Sequence, residues 1–422
     1  MAYKAVITKL TNVRKHPGAD RLNLANVLGN QIVVGLDNVE GQMGIFFPTD
    51  GRLSVEYAKA NDLIRRTLED GTKAGGMFDE NRKVRAQKLR GEKSDGYWAP
   101  IESLAFTGYN LSKLSVGDEI DSLNNVEICR KFITEATLRA QSRQNARVQR
   151  SEIKMMKRHF ETDQFRNVAE KIPAGSLIII TLKQHGTSHR VAHVLDEVKP
   201  KTFWQKFLAR FGLFGRPNWK YLHGSRNIIL EDLNDPYYSS NFRKQSVERF
   251  EGSLHKGEAV YLEIVGWVGE STPIMAVHDV KKVKDKTLLK QYGDKMTYKY
   301  GCIPGTNKPY VYRIVMSNED GRAVELSWFD VKRRCRELGV EHVPEMVQPF
   351  IYDGDSANLR KLCEGLSEGP DPIDASHIRE GICIRYEHPD AFGIAKLKSF
   401  VFNEMESNSK DVAEVADLEE SA

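Results

Sequence analysis

The stretch LIIITLKQHGTS, Leu177 to Ser188, sets a single lysine, Lys183, at the end of an apolar, β-branched run and just before a Gly-Thr-Ser turn. Leu177 to Ile180 reads as a strand. A lysine at such a strand end can serve as a covalent nucleophile. Desolvation and nearby cations lower an ammonium pKa, and the free amine can then attack phosphorus or carbonyl carbon. Alone the signal is weak, because a lysine at a strand edge is more often a solvated charge. Its company along the chain changes the reading.

Downstream stand four more strand-like runs that carry a few polar residues: HGSRN (His223 to Asn227), VYLEIVGW (Val260 to Trp267), REGICIRY (Arg379 to Tyr386) and AKLKSF (Ala395 to Phe400). Period-two alternation sets Val260, Leu262, Ile264 and Gly266 on one face of the second run and Tyr261, Glu263, Val265 and Trp267 on the other. Glu263 then lies among apolar side chains, where a carboxylate is costly without a cation or donor. Lys396 and Lys398 share one strand face and can reach one phosphate. Together these features suit a nucleotide-phosphate site.

The ordered series KQHG, GSRN, YLEIVG, REGICI and AKLK resembles the motifs of the covalent nucleotidyltransferases, which comprise ATP-dependent DNA and RNA ligases and capping guanylyltransferases. The K-x-H-G-T-S form, GSRN and the KLRGEKSDG stretch look most like nick-sealing RNA ligases with an N-terminal OB domain. Five motifs in order are far more specific than any one of them. The resemblance implies an α+β chain: an OB-like β-barrel over 1–121 and a polar helical linker over 122–164, then a nucleotidyltransferase ligase domain of ATP-grasp-like antiparallel sheets over 165–403, with an acidic, disordered tail over 404–422.

The resemblance also implies a reaction. Lys183 would attack the α-phosphorus of ATP and expel pyrophosphate, AMP would pass to an RNA 5′-phosphate, and the 3′-hydroxyl would then displace it. Arg226 would contact the sugar or the 5′-phosphate, and Glu263 the ribose hydroxyls with a link to a metal. Glu380 would hold magnesium or manganese, since hard oxygen ligands suit both ions. Lys396 and Lys398 would neutralise charge growing on the α-phosphate. His185 and Gly186 complete the nucleophile motif; His185 either orients the phosphate or bonds the turn. Tyr312 matches the aromatic that stacks on adenine, with Tyr310 on the same strand face as its rival. Leu182 departs from the pattern, because related RNA ligases often have an acid there to read the adenine amine. Backbone carbonyls can take that role, so ATP is expected over GTP.

A capping enzyme or DNA ligase would place an OB domain after the last lysine motif, whereas the candidate barrel here comes first. The alternatives kept are a non-catalytic RNA-binding protein on a ligase fold and a GTP-dependent capping-type nucleotidyltransferase. The expected partner is RNA, a nicked duplex with an RNA 3′-hydroxyl strand, bound by a monomer.

Composition agrees. The 422 residues, 40% of them hydrophobic, can bury sizeable cores in two or three domains. No run is long and apolar enough for a membrane span, and the N-terminal segment lacks a signal-peptide core, so a cytoplasmic location is expected, or the host cytoplasm for a phage protein. Five scattered cysteines without C-x-x-C spacing suggest reduced core thiols. From Asn403 onward seven acids face one lysine, so the formal +4 conceals +10 on the rest of the chain. Such an excess favours a polyanionic partner.

Short runs at Lys4 to Leu10, Leu22 to Val27, Gln31 to Gly35 and Gly44 to Phe47 predict the small barrel. Arg82, Lys83, Arg85, Lys88 and Arg90 then suit a phosphate backbone, with Tyr97 and Trp98 either stacking on a base or closing the core. Arg139, Arg143, Arg147 and Arg150 fall on one face of a predicted linker helix. FWQKFLARFGLFGRPNW, Phe203 to Trp219, is expected as an amphipathic helix packed on the domain's flank, with an RNA-contacting or lid element as the alternative. Ser327 to Pro344 reads as a scaffold helix ended by Gly339.

Overall fold

Leu177–Lys183 forms a strand buried on both faces: Ile178 and Ile180 enter one apolar core, Ile179 and Leu182 another. The structure, a computed structural model, describes residues 3–67, 73–133, 151–160, 162–196, 202–211, 218–230, 233, 241–283 and 285–409. The arginine face expected over Arg139 to Arg150 lies outside the described residues.

The strand that carries Lys183 belongs to a five-stranded sheet in the order Asp163–Gln164, Ala391–Lys398, Gly381–His388, Leu177–Lys183, Phe350–Ile351. Immediately after the turn at 184–186, Thr187–Asp196 enters a second sheet between Asn218–Gly224 and Glu258–Gly266, with Asn307–Ser317 beyond. Pairing is antiparallel except for the short strands Asp163–Gln164 and Glu341–His342. Lys183 therefore stands where the chain crosses from one sheet to the other. Between them lies the largest core, which includes Val260, Leu262, Ile314, Trp328 and Phe402. Each such side chain contributes about 1.5–3 kcal/mol on full burial.

Trp328–Leu338 is the expected scaffold helix. Ser327 caps it by accepting from the Asp330 N–H, and Gly339 ends it at φ 64°.

At the N-terminus the predicted strands form, as Ala5–Lys9, Leu22–Val27, Asn30–Gly35 and Met43–Phe47. They do not form a closed barrel. Among the described residues they pair in separate small sheets, none of which closes on itself. The central strand Met43–Phe47 has a core on each side: Ile45 and Phe47 pack with Tyr57 and Leu104, while Phe46 packs with Trp98 and Ile32. Trp98 and Tyr97 are thus core residues, Tyr97 lying between Phe47 and Phe78.

Both ends of the expected linker span 122–164 pack onto neighbouring elements. Cys129–Lys131 pairs with Gly51–Leu53 in the N-terminal unit, and Met155 and Met156 are buried against Ala192, Val194 and Tyr261 of the second sheet. Nor is the start of the acidic tail irregular. Phe400–Ser409 is a helix, with Glu404 and Glu406 buried, because these two acids meet Lys88 and Lys398.

Candidate active site

Strand register builds the site. Lys183 lies opposite Gly381, and Gly381 opposite Lys398, so the two lysines flank a glycine across three adjacent strands. One step along, Thr181, Cys383 and Lys396 form the next row. Gly381 is required: its φ is 152°, and a Cβ there would lie 2.2 Å from the Leu397 carbonyl oxygen. Gly186 has a similar reason, since its Cβ would meet the Ile264 carbonyl oxygen at 2.5 Å.

Above these rows opens a cavity of about 410 Å³, within the usual size for a small-molecule site. Lys183, Lys396 and Lys398 line it from the first sheet; Ser188, Glu263 and Tyr312 line it from the second. Arg226 reaches it from a turn in which Ser225 Oγ accepts from the Asn227 and Ile228 N–H groups at 3.3 Å each. The motifs meet although they are scattered over more than two hundred residues.

Glu380, Gly186 and His185 lie a layer behind the cavity wall. One oxygen of Glu380 accepts from Lys183 Nζ at 2.8 Å and faces Lys398 Nζ at 3.3 Å. Its other oxygen is buried and accepts no hydrogen bond among the described residues, with His185 Nδ1 at 3.8 Å. The His185 ring packs edge-on against Tyr298 and Phe402, and the backbone N–H of His185 donates to the Tyr300 hydroxyl at 2.5 Å. Lys398 also binds Glu406 at 2.9 Å. Burial alone would lower its pKa, but the carboxylates of Glu406, Glu380 and Asp50 outweigh burial and push it well above the ordinary lysine value.

Tyr312 and Tyr310 do not share a face. Between Tyr261 and Leu262 the pairing shifts register, passing from Arg313 to Val311, so Tyr312 is the extra residue of a bulge. Tyr310 sinks into the core, whereas Tyr312 turns to the cavity and its hydroxyl meets Ser188 Oγ at 3.2 Å. Burial, with Glu263 next, pushes the Tyr312 phenol up.

The basic residues of the N-terminal unit are placed differently from the sequence expectation. Lys83 is buried and donates to the Ser407 carbonyl at 2.8 Å; Lys88 binds Asp285 at 2.8 Å and lies 4.0 Å from Glu404. Arg85 pairs with Asp79, and Arg82 donates to the Leu53 and Glu80 carbonyls. Arg90 is exposed on a turn. Lys83 and Lys88 face the catalytic unit because its last helix presents acids and a carbonyl there.

Sequence reasoning missed several cavity residues. Tyr3, Asp50 and Lys131 of the N-terminal unit line it, as do His159 and Gln184. Burial first, then Arg313, Arg226 and Lys396, pushes the His159 imidazole down to about 3. Both Gln184 side-chain amide atoms are buried without a hydrogen-bond partner among the described residues. Gln184 belongs to the KQHG motif, but nothing in the local sequence of Tyr3, Asp50, Lys131 or His159 signals the cavity, since contacts between distant segments bring them there. All five cysteines are free; four are buried, while Cys383 lines the cavity, its thiol pushed up to about 11 by burial.

This architecture has solved counterparts. A Naegleria gruberi RNA ligase variant without ligand is similar at TM-score 0.62 and 15% identity, covering 97% of this chain and 100% of that one. A variant with ATP and manganese gives 0.59 at 15%, covering 96% and 99%. The same ligase with pyrophosphate gives 0.59 at 16%, again covering 96% and 99%. The chain has the fold of an RNA ligase. No family model matches it, nor does any curated protein. The likeness covers 96–97% of this chain and so extends over the N-terminal unit as well as both sheets.

Proposed function

We propose that the chain is an ATP-dependent RNA ligase that joins a 3′-hydroxyl to a 5′-phosphate at a nick, through lysyl-AMP and RNA-adenylate. The observation that carries this reading is the convergence of Lys183, Lys396, Lys398, Glu263, Arg226 and Tyr312 on one cavity in a chain with the RNA ligase fold.

Lys183 Nζ is the nucleophile. Before attack it gives up a proton, and the Glu380 oxygen at 2.8 Å is an acceptor in place, with Lys398 on the same oxygen favouring the neutral amine. A bond then forms from Nζ to the α-phosphorus, and the bond to the pyrophosphate oxygen breaks. Lys396 and Lys398 stabilise the developing negative charge. Tyr312 stacks on adenine, and Glu263 accepts from the ribose hydroxyls. In the next step the RNA 5′-phosphate oxygen displaces Lys183, with Arg226 holding that phosphate. Finally the 3′-hydroxyl oxygen attacks the 5′-phosphorus and AMP leaves.

Magnesium or manganese would polarise the phosphate oxygens. Among the described residues no cluster of three or more His, Cys, Asp or Glu side chains stands ready for a metal. The buried Glu380 oxygen without a hydrogen bond, with Glu263, fits an ion held mainly by phosphates and water.

The test is incubation with α-labelled ATP or GTP and a divalent metal, followed by denaturing electrophoresis. Label on the protein from ATP, lost in Lys183→Ala and in Lys183→Arg, is expected, because a guanidinium stays protonated. Label from GTP would make it a capping-type enzyme, and no label a non-catalytic binder.

A further inference from the structure

The helix Phe203–Arg210 does not pack on the domain's flank. Phe203 is 78% exposed, Trp204 70%, Phe207 46%, Leu208 37% and Phe211, just beyond the helix, 63%. Their rings form a continuous row, each edge-on to the next at 5.1–6.1 Å. At 100° per residue these five side chains fill one arc, and Lys206 and Arg210 fall together beside it. Exposed apolar residues are ordinarily scattered; a contiguous aromatic patch marks an interaction surface.

We propose that this helix lies on an anionic lipid surface, its aromatic face set into the headgroup boundary and its cations on the phosphates. Three observations choose that occupant. First, the side chains are those of an interfacial helix: Trp, Phe and Leu on one face, Lys and Arg beside them, with little net hydrophobicity. Secondly, the charge is one-sided. From 198 to 217 the sequence has Lys199, Lys201, Lys206, Arg210 and Arg216 and no acid, in a chain that is 28% charged. Thirdly, the helix sits at the far end of a hairpin. It follows Thr187–Asp196 and precedes Asn218–Gly224, whose distal ends pair at Asp196 and Asn218. That strand carries it roughly 30 Å from the turn after Lys183, at about 3.3 Å per residue. A lid over the cavity would need the opposite end. Duplex RNA would meet the cations, but its phosphates offer nothing to a row of phenyl rings. No helix among the described residues is long and apolar enough to cross a membrane, so the association is with the surface. The proposal is independent of the ligase reading.

Flotation of the full chain with vesicles tests it, using phosphatidylcholine mixed with phosphatidylglycerol against phosphatidylcholine alone. The expected result is flotation with the mixed vesicles only, weakened by salt. Phe207→Glu with Trp204→Glu, and separately Lys206→Glu with Arg210→Glu, should each lower it at least about tenfold. Melting temperature and circular dichroism of both variants should match the unaltered chain, which reports that they are folded. Failure of the unaltered chain to float, or equal flotation of both variants, would overturn the proposal. Loss of duplex-RNA binding in the aromatic variant without vesicle binding by the unaltered chain would reassign the face to nucleic acid. A dimer seen by light scattering and abolished by Phe207→Glu, again without flotation, would reassign it to a second copy.

Discussion

Glu380 occupies a position that makes its chemical and structural roles separable. One of its oxygens meets two half-buried lysines, so Glu380→Ala takes the carboxylate from Lys183 and leaves Lys398 with Glu406 alone, a change that costs up to about 3–5 kcal/mol. Glu380→Gln keeps the shape and a single acceptor, and should slow AMP capture at least about tenfold while lowering Tm far less than the alanine variant. Single-turnover capture measured beside thermal melting decides this; parallel losses in both would make Glu380 a structural residue only. Lys396→Ala and Lys398→Ala should likewise slow capture more than they lower Tm. His159 supplies a pH test. Its imidazole falls from an ordinary 6.5 to about 3 in the folded chain, so the unfolded chain binds more protons in that window. The stability it contributes is present above pH 6.5 and is lost as pH falls toward 3. Melting followed from pH 7 to 4 should show this decline, partly flattened in His159→Gln, with His189 and His223, also depressed by burial, accounting for part of what remains. An unchanged slope in the variant would exclude His159.

At the scale of strands and helices, the two tyrosines of Asn307–Ser317 separate what sequence periodicity can and cannot give. Alternation put Tyr310 and Tyr312 together, but the bulge at Tyr312 adds a residue and turns only that ring to the cavity. Tyr312→Ala should therefore raise the KM for ATP with modest loss of stability. Tyr310→Ala should cost about 3–5 kcal/mol, the usual range for a truncated core aromatic, with little change in KM. Melting and ATP titration of the two variants check this, and a KM effect at Tyr310 alone would reverse the assignment. The lysine-bearing strands were legible in sequence because each motif sits on a strand whose register leaves no freedom: Gly381 must lie between Lys183 and Lys398. The capped helix Trp328–Leu338 was legible for the same local reason. Bulges, the second core beside Met43–Phe47 and the exposed aromatic helix depend on partners far away in sequence, so local pattern could not reach them.

The whole molecule joins the N-terminal unit to the chemistry. Sequence alone suggested a domain that positions RNA apart from the ATP step, yet Tyr3, Asp50 and Lys131 line the cavity, and Asp50 adds to the field that keeps Lys398 charged. A second link runs through the helix Phe400–Ser409. Lys83 holds its Ser407 carbonyl, Lys88 approaches Glu404, and Lys93 lies over the Phe400 ring, while Glu406 of that helix binds Lys398. Two of the basic residues expected to track RNA, Lys83 and Lys88, thus hold the helix whose Glu406 binds Lys398. Loosening the clamp in the full chain, with Lys83→Met and Lys88→Glu together, should slow AMP capture about tenfold, as displacement of a positioned group does even when it lies outside the reacting atoms. Lys398→Ala combined with the clamp variant should then be no slower than Lys398→Ala alone, because residues acting through one another are not additive. Rapid-quench measurement of protein-bound AMP in the four proteins tests this. Full-rate capture in the clamp variant, with only the sealing of pre-adenylated nicks impaired, would return the N-terminal unit to a purely RNA-positioning role.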